Sequence, residues 1–330
     1  MINKIQSKIC DKNLEGFVFN ASGVNNEVLA QLQKIHNSSS AVVMLKSCTL
    51  EQRKGNLPPK YLVKSSLIPG CTFNSMGLPN KGIEQSLEYI DTLKKKAKKP
   101  IFVSTVGIED PLKENQILIT KIQKQGLADF IEVNLSCPNI EHSSNKTTGK
   151  TNIRTGILAY DFESLEKMVT QLAKMQGPAK IGFKLPPYTD SSQFEIVSQI
   201  LLGSKARFIS SINTLPALVI NPEKESVVIK PKKGQGGLGG DFIKPLALYN
   251  VRQFFERIGD TIDIIGVGGV RTGSDAFEYA LAGAKCVQVG SAFAQEGIDI
   301  FSKIHTELRS ILDQKGYQNI QEVIGKLKFL

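Results

Sequence analysis

The chain has 330 residues, 41% of them hydrophobic, no Trp, and ten more Lys and Arg than Asp and Glu. That much apolar material suits one large α/β domain or two smaller ones and excludes a disordered or fibrous chain. The excess positive charge suits small anions; a nucleic-acid partner is disfavoured because the few aromatics are scattered rather than interleaved with the basic residues.

Five cysteines, Cys10, Cys48, Cys71, Cys137 and Cys286, show no CxxC spacing, and His36, His142 and His305 fall in unrelated contexts. Neither a disulfide framework nor a metal site is expected, and a reducing compartment fits best. The first eight residues lack the apolar core of a signal peptide, and no run approaches the length of a membrane span. A soluble cytoplasmic protein with no membrane partner is expected.

In chain order, apolar strand-like runs occur at 17–19, 41–45, 101–103, 130–133, 181–185, 208–212, 262–265 and 286–289. Most are followed by a segment of helical periodicity, so the pattern is strand, crossover helix, strand, repeated about eight times. That is the signature of an α/β protein of the (β/α)8 TIM-barrel class, with a doubly wound open sheet as the alternative. No linker or shift in composition divides residues 1–330, which read as a single domain. The basic run at 94–99 closes a helical pattern just before Pro100 and reads as a solvated last turn facing the negative end of the helix dipole.

Polar residues cluster immediately after the strands: Asn20 to Gly23, Lys46 and Ser47, Asn134 to Asn139, Lys184, Asn213 and Thr214, Gly268 and Gly269, Gly290 and Ser291. In a barrel these ends share one rim, where active sites are built. The richest of them follows the buried run at 130–133 and carries two amides, a hydroxyl and the thiol of Cys137. Pro138 removes a backbone donor and biases Cys137 towards an extended conformation. Three excursions interrupt the alternation. Residues 53–80, rich in Gly and Pro, are expected as loops and a short hairpin over the rim, and 215–233 as a second hairpin with a strand at 226–230. Residues 140–157 form a polar insertion that reads as a mobile loop directly after the thiol.

Two glycine segments bear on anions. Residues 264–275 run from a strand through Gly266, Gly268 and Gly269 into a helix start, and Gly290–Ser291 ends the next strand. A phosphate held by these last two units, helped by the free N–H groups and dipole of the following helix, is expected, the alternative being two ordinary turns. Residues 234–240 contain GxGxxG, but a Pro-Lys-Lys turn precedes it and the next helix begins near Pro245. The context excludes a Rossmann fingerprint and suggests a flexible backbone lying close to a flat ligand or its phosphate.

Taken together, Asn134-Leu-Ser-Cys137-Pro-Asn139, Asn74-Ser-Met-Gly-Leu-Pro-Asn80, Asn20-Ala-Ser-Gly23, Lys46-Ser47, Lys184-Leu-Pro-Pro-Tyr188, residues 225–232 and the glycine loops span nearly the whole chain. They resemble the dihydroorotate dehydrogenase family, specifically its fumarate-using class 1A. The resemblance implies an FMN-binding (β/α)8 barrel that oxidises (S)-dihydroorotate to orotate in pyrimidine biosynthesis and reduces fumarate to succinate, as a cytoplasmic homodimer. It implies Cys137 as the general base at C5. It also implies Lys46, Asn74, Met76, Gly77, Leu78, Asn134, Asn139, Asn213 and Thr214 as substrate contacts. For the flavin it implies Ala21, Ser22, Lys46, Ser47, Asn134, Lys184, Ile212, Gly240, Gly268, Gly269, Gly290 and Ser291, with Lys184 beside the isoalloxazine N1 and O2.

The chain departs from the family pattern in three places. The short turn with Gly-Lys-Pro-Gln after Asn139 is replaced by residues 140–157, Thr214 stands for a usual Ser, and Lys60 for a usual Arg. Two alternatives follow: a class 1B-like subunit passing electrons through a partner to NAD, and a flavin-binding paralogue whose activity the insertion has altered or removed.

Overall fold

The structure is a computed structural model and describes residues 3–96, 99–136 and 156–330. Eight parallel strands form its centre: β1 (Val18–Asn20), β2 (Val43–Met44), β3 (Ile101–Thr105), β4 (Phe130–Asn134), β5 (Lys180–Leu185), β6 (Phe208–Ser211), β7 (Asp263–Val267) and β8 (Cys286–Val289). From β2 onward each pairs with the next strand in sequence, and β8 returns to β1, as expected of a (β/α)8 barrel. The seam between β1 and β2 is closed by Ala41 N donating to Val18 O (2.9 Å) and by the Asn20 side chain. That amide donates to Met44 O (2.8 Å) and accepts from Met44 N (3.0 Å). A side-chain amide thus supplies the two bonds that a very short strand cannot.

The helices on the outside start and stop for local reasons. The helix Pro111–Gln125 has Asp110 as its N-cap, accepting from Lys113 N, Pro111 in its first turn, and Gly126 in the left-handed region at its end. Asp190 and Gln193 form a capping box at the helix Ser191–Leu202. In the helix Ile300–Gln314, Ile300, Ile304, Leu308 and Leu312 recur every fourth residue and are the buried face against the barrel.

Side-chain alternation layers the barrel interior. Phe19, Phe102, Phe130 and Phe208 are fully buried and touch ring to ring, Phe102 stacking on Phe130 at 4.2 Å and lying 5.4 Å from Phe208. Gly182 makes room for this plug: a Cβ there would lie 2.5 Å from the Phe208 ring. Two residues further along β3, β4 and β6 come Ser104, Glu132 and Ser210, and along β5 Lys184. The interior therefore changes from apolar to polar towards the C-terminal rim.

Over that rim lies a four-stranded antiparallel sheet in the order Leu215–Leu218, Gln235–Gly240, Cys71–Asn74, Tyr61–Leu62. Two expectations need correction. The glycine run at 234–240 is a strand hydrogen-bonded on both sides rather than a flexible backbone; its glycines let Cys71–Asn74 and Leu215–Leu218 close in, since a Cβ on Gly236 would lie 2.5 Å from Asn74 O. The strand expected at 226–230 covers only Ser226–Val227, paired with Ile220–Asn221, because the chain then turns through Pro231 into a short 3-10 segment. The insertion at 140–157 lies, for residues 140–155, outside the described residues, as does part of the basic run at 97–98.

A short N-terminal hairpin, Ser7–Ile9 with Lys12–Leu14, was not evident from the sequence. Ser7 Oγ donates to Gly16 O (2.6 Å), which leads the chain into β1. There His305 Nε2 accepts from Phe17 N (3.2 Å) and Val18 N (3.0 Å), so the imidazole is neutral with its proton on Nδ1. Burial, followed by the charges of Arg309 and Lys99, pushes the His305 pKa down to about 4. Because the folded value lies below the unfolded one, the unfolded chain binds the extra proton. Stability present above about pH 6.5 is therefore lost as pH falls towards 4. Denaturant unfolding at pH 7 and pH 5 should show about 2 kcal/mol of pH-linked loss from this group, and His305→Gln should remove that increment; an unchanged difference would contradict the assignment.

Candidate active site

The strand ends and the covering sheet enclose one pocket with an empty volume of about 1200 Å³, open mouth included. The structure brings Lys46, Asn74, Met76, Gly77, Leu78, Asn134, Asn213 and Thr214 to this pocket, with Ala21, Ser22, Ser47, Lys184, Ile212, Gly240, Gly268, Gly269, Gly290 and Ser291. Cys137 and Asn139 lie outside the described residues.

The amides at the rim hold one another. Asn134, at the tip of β4, accepts on Oδ1 from Ser136 N (3.1 Å), Ser136 Oγ (3.1 Å) and Asn213 Nδ2 (3.4 Å), while Asn213 Nδ2 also donates to Ser136 Oγ (2.7 Å). Ser136, one residue before Cys137, is 1% exposed. The root of the thiol loop is thus fixed by two amides that also face the pocket. Asn213 Oδ1 accepts from Thr214 N (2.8 Å), orienting the hydroxyl-bearing residue beside it.

The opposite wall is a tight turn at Met76, Gly77 and Leu78. Gly77 has φ 70°, and a Cβ there would lie 2.3 Å from Asn56 Oδ1. Leu78 also has positive φ, 56°, which is unusual for a bulky residue and marks a turn set by its surroundings. Asn56 supplies those surroundings, donating from N to Met76 O (2.8 Å) and from Nδ2 to Ser75 O (2.9 Å). Lys46 Nζ donates to Gly23 O (2.9 Å), and Ser47 Oγ hydrogen-bonds Ser104 Oγ (2.8 Å).

The pocket floor is charged. Lys184 is 4% exposed, and its Nζ donates to Gln288 Oε1 (3.0 Å) with Glu132 Oε1 at 4.0 Å. Gln288, Tyr61 and Thr72 line the pocket but were not singled out from the sequence. Gln288 sits inside an apolar strand, where an amide is a signal in itself; Tyr61 and Thr72 arrive on the covering sheet, whose pairing no local pattern reveals. Burial pushes the Tyr61 phenol up to about 12, so this ring presents a neutral hydroxyl.

At the far end glycines recur along the wall, Gly239, Gly240, Gly268, Gly269 and Gly290, interspersed with Asp241, Ile243 and Val270, and Thr72 Oγ and Ser291 Oγ lie 2.7 Å apart. The expected helix N-terminus is not available to an anion here. In the helix Gly273–Ala282, Asp275 accepts from Arg271 N (2.9 Å) and Thr272 N (2.8 Å), Thr272 caps Asp275 N, and Gly273 N donates to Glu307. Carboxylates of the chain already occupy that helix start. The polar groups left facing the pocket come from Gly268–Gly269 and from Gly290, Ser291 and Ala292, the last two in the first turn of the helix Ser291–Glu296, where N–H groups have no partner within the helix.

A (β/α)8 barrel with a polar mouth and a buried lysine in its floor is the framework of a barrel enzyme that binds its ligands at the C-terminal rim. The chain matches the family model of dihydroorotate dehydrogenase over residues 4–312. It is 43% identical over 314 residues to a Lactococcus lactis subsp. cremoris protein named dihydroorotate dehydrogenase A (fumarate), covering 94% of this chain and 95% of that one. It is 39% identical over 336 residues to the Saccharomyces cerevisiae dihydroorotate dehydrogenase (fumarate), covering 99% of each. Among solved structures, the Eimeria tenella protein described as DHODH in complex with ferulenol superposes with a TM-score of 0.79 at 18% identity, over 98% of this chain and 88% of that one, a likeness of fold. The chain belongs to the dihydroorotate dehydrogenase family.

Asn134→Ala removes the acceptor that holds both Ser136 and Asn213. Loss of buried hydrogen bonds of this kind costs ~1–3 kcal/mol, so kcat/KM should fall roughly ten- to a hundredfold with the fold intact by circular dichroism. Parent-like kcat/KM would show that this amide does not organise the site.

Proposed function

We propose that the protein oxidises (S)-dihydroorotate to orotate on a bound FMN and passes the electrons to fumarate, giving succinate, as a cytoplasmic homodimer of class 1A type. The observation that carries this reading is the pocket itself: a buried lysine in the floor, hydrogen-bonded amides on one wall, and glycines recurring along the far end. The printed names of the relatives, which specify fumarate, support the choice of acceptor. The donor set suits FMN on structural grounds. The glycines would leave space for a phosphate and ribityl arm, and Lys184 would offer a positive charge to a flat ring system reaching the pocket floor.

When bound, the flavin supplies acceptance of the hydride from C6 of the substrate and delivery of two electrons to fumarate. The chain's own residues do the rest. Asn74, Asn134 and Asn213 offer amide donors and acceptors to the flat, polar pyrimidine, and Thr214 a hydroxyl. Lys46 would meet the substrate carboxylate and the cofactor edge. Gly268, Gly269, Gly290 and Ser291 would hold the phosphate. Cys137 Sγ, one residue beyond the pinned Ser136, takes the proton from C5. A free thiol is only a few per cent ionised at neutral pH, so turnover rises with pH until the thiol ionises.

Anaerobic mixing of the yellow protein with dihydroorotate should bleach the flavin absorbance, and fumarate should restore it without any partner protein. In Cys137→Ala the bleaching should slow by about 10²–10⁴-fold. Persistent colour in the parent would favour a flavin-binding paralogue, colour restored only with a partner and NAD a class 1B-like subunit, and a Cys137→Ala variant as fast as the parent would remove the thiol from the mechanism.

A further inference from the structure

We propose that Glu132 is the buried counter-charge of Lys184 and that its carboxylate competes with a reduced flavin for the same ammonium, so that Glu132 sets how strongly the site favours the reduced cofactor. The inference rests on the flavin reading above, with Lys184 facing the ring system.

Glu132 and Lys184 are the only buried charged side chains on the eight barrel strands among the described residues. Glu132 is fully buried above the phenylalanine plug and does not line the pocket, whereas Lys184 does. Its Oε2 accepts from Ser210 Oγ (2.6 Å) and Gln288 Nε2 (2.7 Å). Its Oε1, equally buried, has no hydrogen-bond partner and lies 4.0 Å from Lys184 Nζ. Gln288 joins the two ions, accepting from Lys184 on Oε1 (3.0 Å) while donating to Glu132. The two charges fix which way that amide points, since the reversed amide would set its NH2 against the ammonium and its oxygen against the carboxylate.

A carboxylate left with an unbonded oxygen in a dry interior is unfavourable unless a cation faces it. Among the described residues the cation facing it is Lys184, so the geometry reads as a charge pair held slightly apart by the amide rather than as a hydrogen-bond network alone. An ammonium has three donors, and the Gln288 bond uses one. When negative charge develops on the ring system during reduction, the ammonium gains a second partner on the pocket side. Glu132 then acts through Lys184 as a positioning residue: it holds the ammonium at the floor and offsets part of its charge.

The test is the midpoint potential of the bound flavin, measured by equilibrium reduction against a reference dye at fixed pH. Glu132→Gln, which keeps shape and removes charge, should make the potential more positive than in the parent. Glu132→Asp, which keeps the charge, should fall between the two. A folded, flavin-loaded Glu132→Gln protein whose potential is unmoved or more negative overturns the proposal. If Glu132→Gln does not fold, the double variant Glu132→Gln/Lys184→Met supplies the answer: a double variant that regains a cooperative thermal transition supports the charge pair, and one that stays unfolded overturns it. A parent that binds no flavin would instead defeat the functional reading on which the inference stands.

Discussion

A lysine ammonium in the interior of a barrel is expensive to keep, and the arrangement that keeps it shapes everything around it. Breaking such a buried pair from one side typically costs ~3–5 kcal/mol, because the remaining ion is left without compensation. Here Lys184 faces Glu132 across 4.0 Å and shares Gln288 with it. Satisfying those groups takes inward positions on four strands, the adjacent β4, β5 and β6 together with β8, which stands beyond β7. The parallel register supplies them: Glu132 lies opposite Gly182, and Ser210 opposite Lys184.

The layering follows from the same alternation. One step down from the charged layer, the inward positions are Phe102, Phe130 and Phe208, which seal the barrel from below and keep water out of the pair. One step up, they are Asn134 and the residues of the rim, where the amides can be shared between loop root and ligand. The covering sheet then limits the mouth. Its glycine strand brings backbone rather than bulky side chains to the pocket through Gly239 and Gly240.

Much of this is legible in the sequence, and the failures have identifiable causes. The eight barrel strands show as β-branched and aromatic runs because a parallel sheet is buried on both faces. That double burial also hides which residues point inwards, so Glu132 and Gln288 pass unmarked inside apolar strand runs. The rim residues stand out because polar groups follow apolar runs, and the Asn134 to Asn139 and Asn74 to Asn80 segments are specific enough to indicate the family. The strand Gln235–Gly240 carries almost no side chains, so no periodicity marks it. Strands of three residues at Ser7–Ile9 and Lys12–Leu14 are too short to show a pattern. The helix start at Thr272 reads as an anion site from its glycines, yet Asp275, three residues on, folds back to fill it.

The central claim is that one ring of strand tips grips a flavin whose ring system ends on Lys184, with substrate held between it and the Cys137 sulfur. The most direct measurement is a crystal structure of the flavin-loaded protein with orotate bound. The account predicts the isoalloxazine edge at Lys184 Nζ, the phosphate between Gly268–Gly269 and Gly290–Ser291, and the Cys137 Sγ on the face of orotate turned away from the flavin. A phosphate seated elsewhere, or a flavin whose ring system does not reach Lys184, would contradict it.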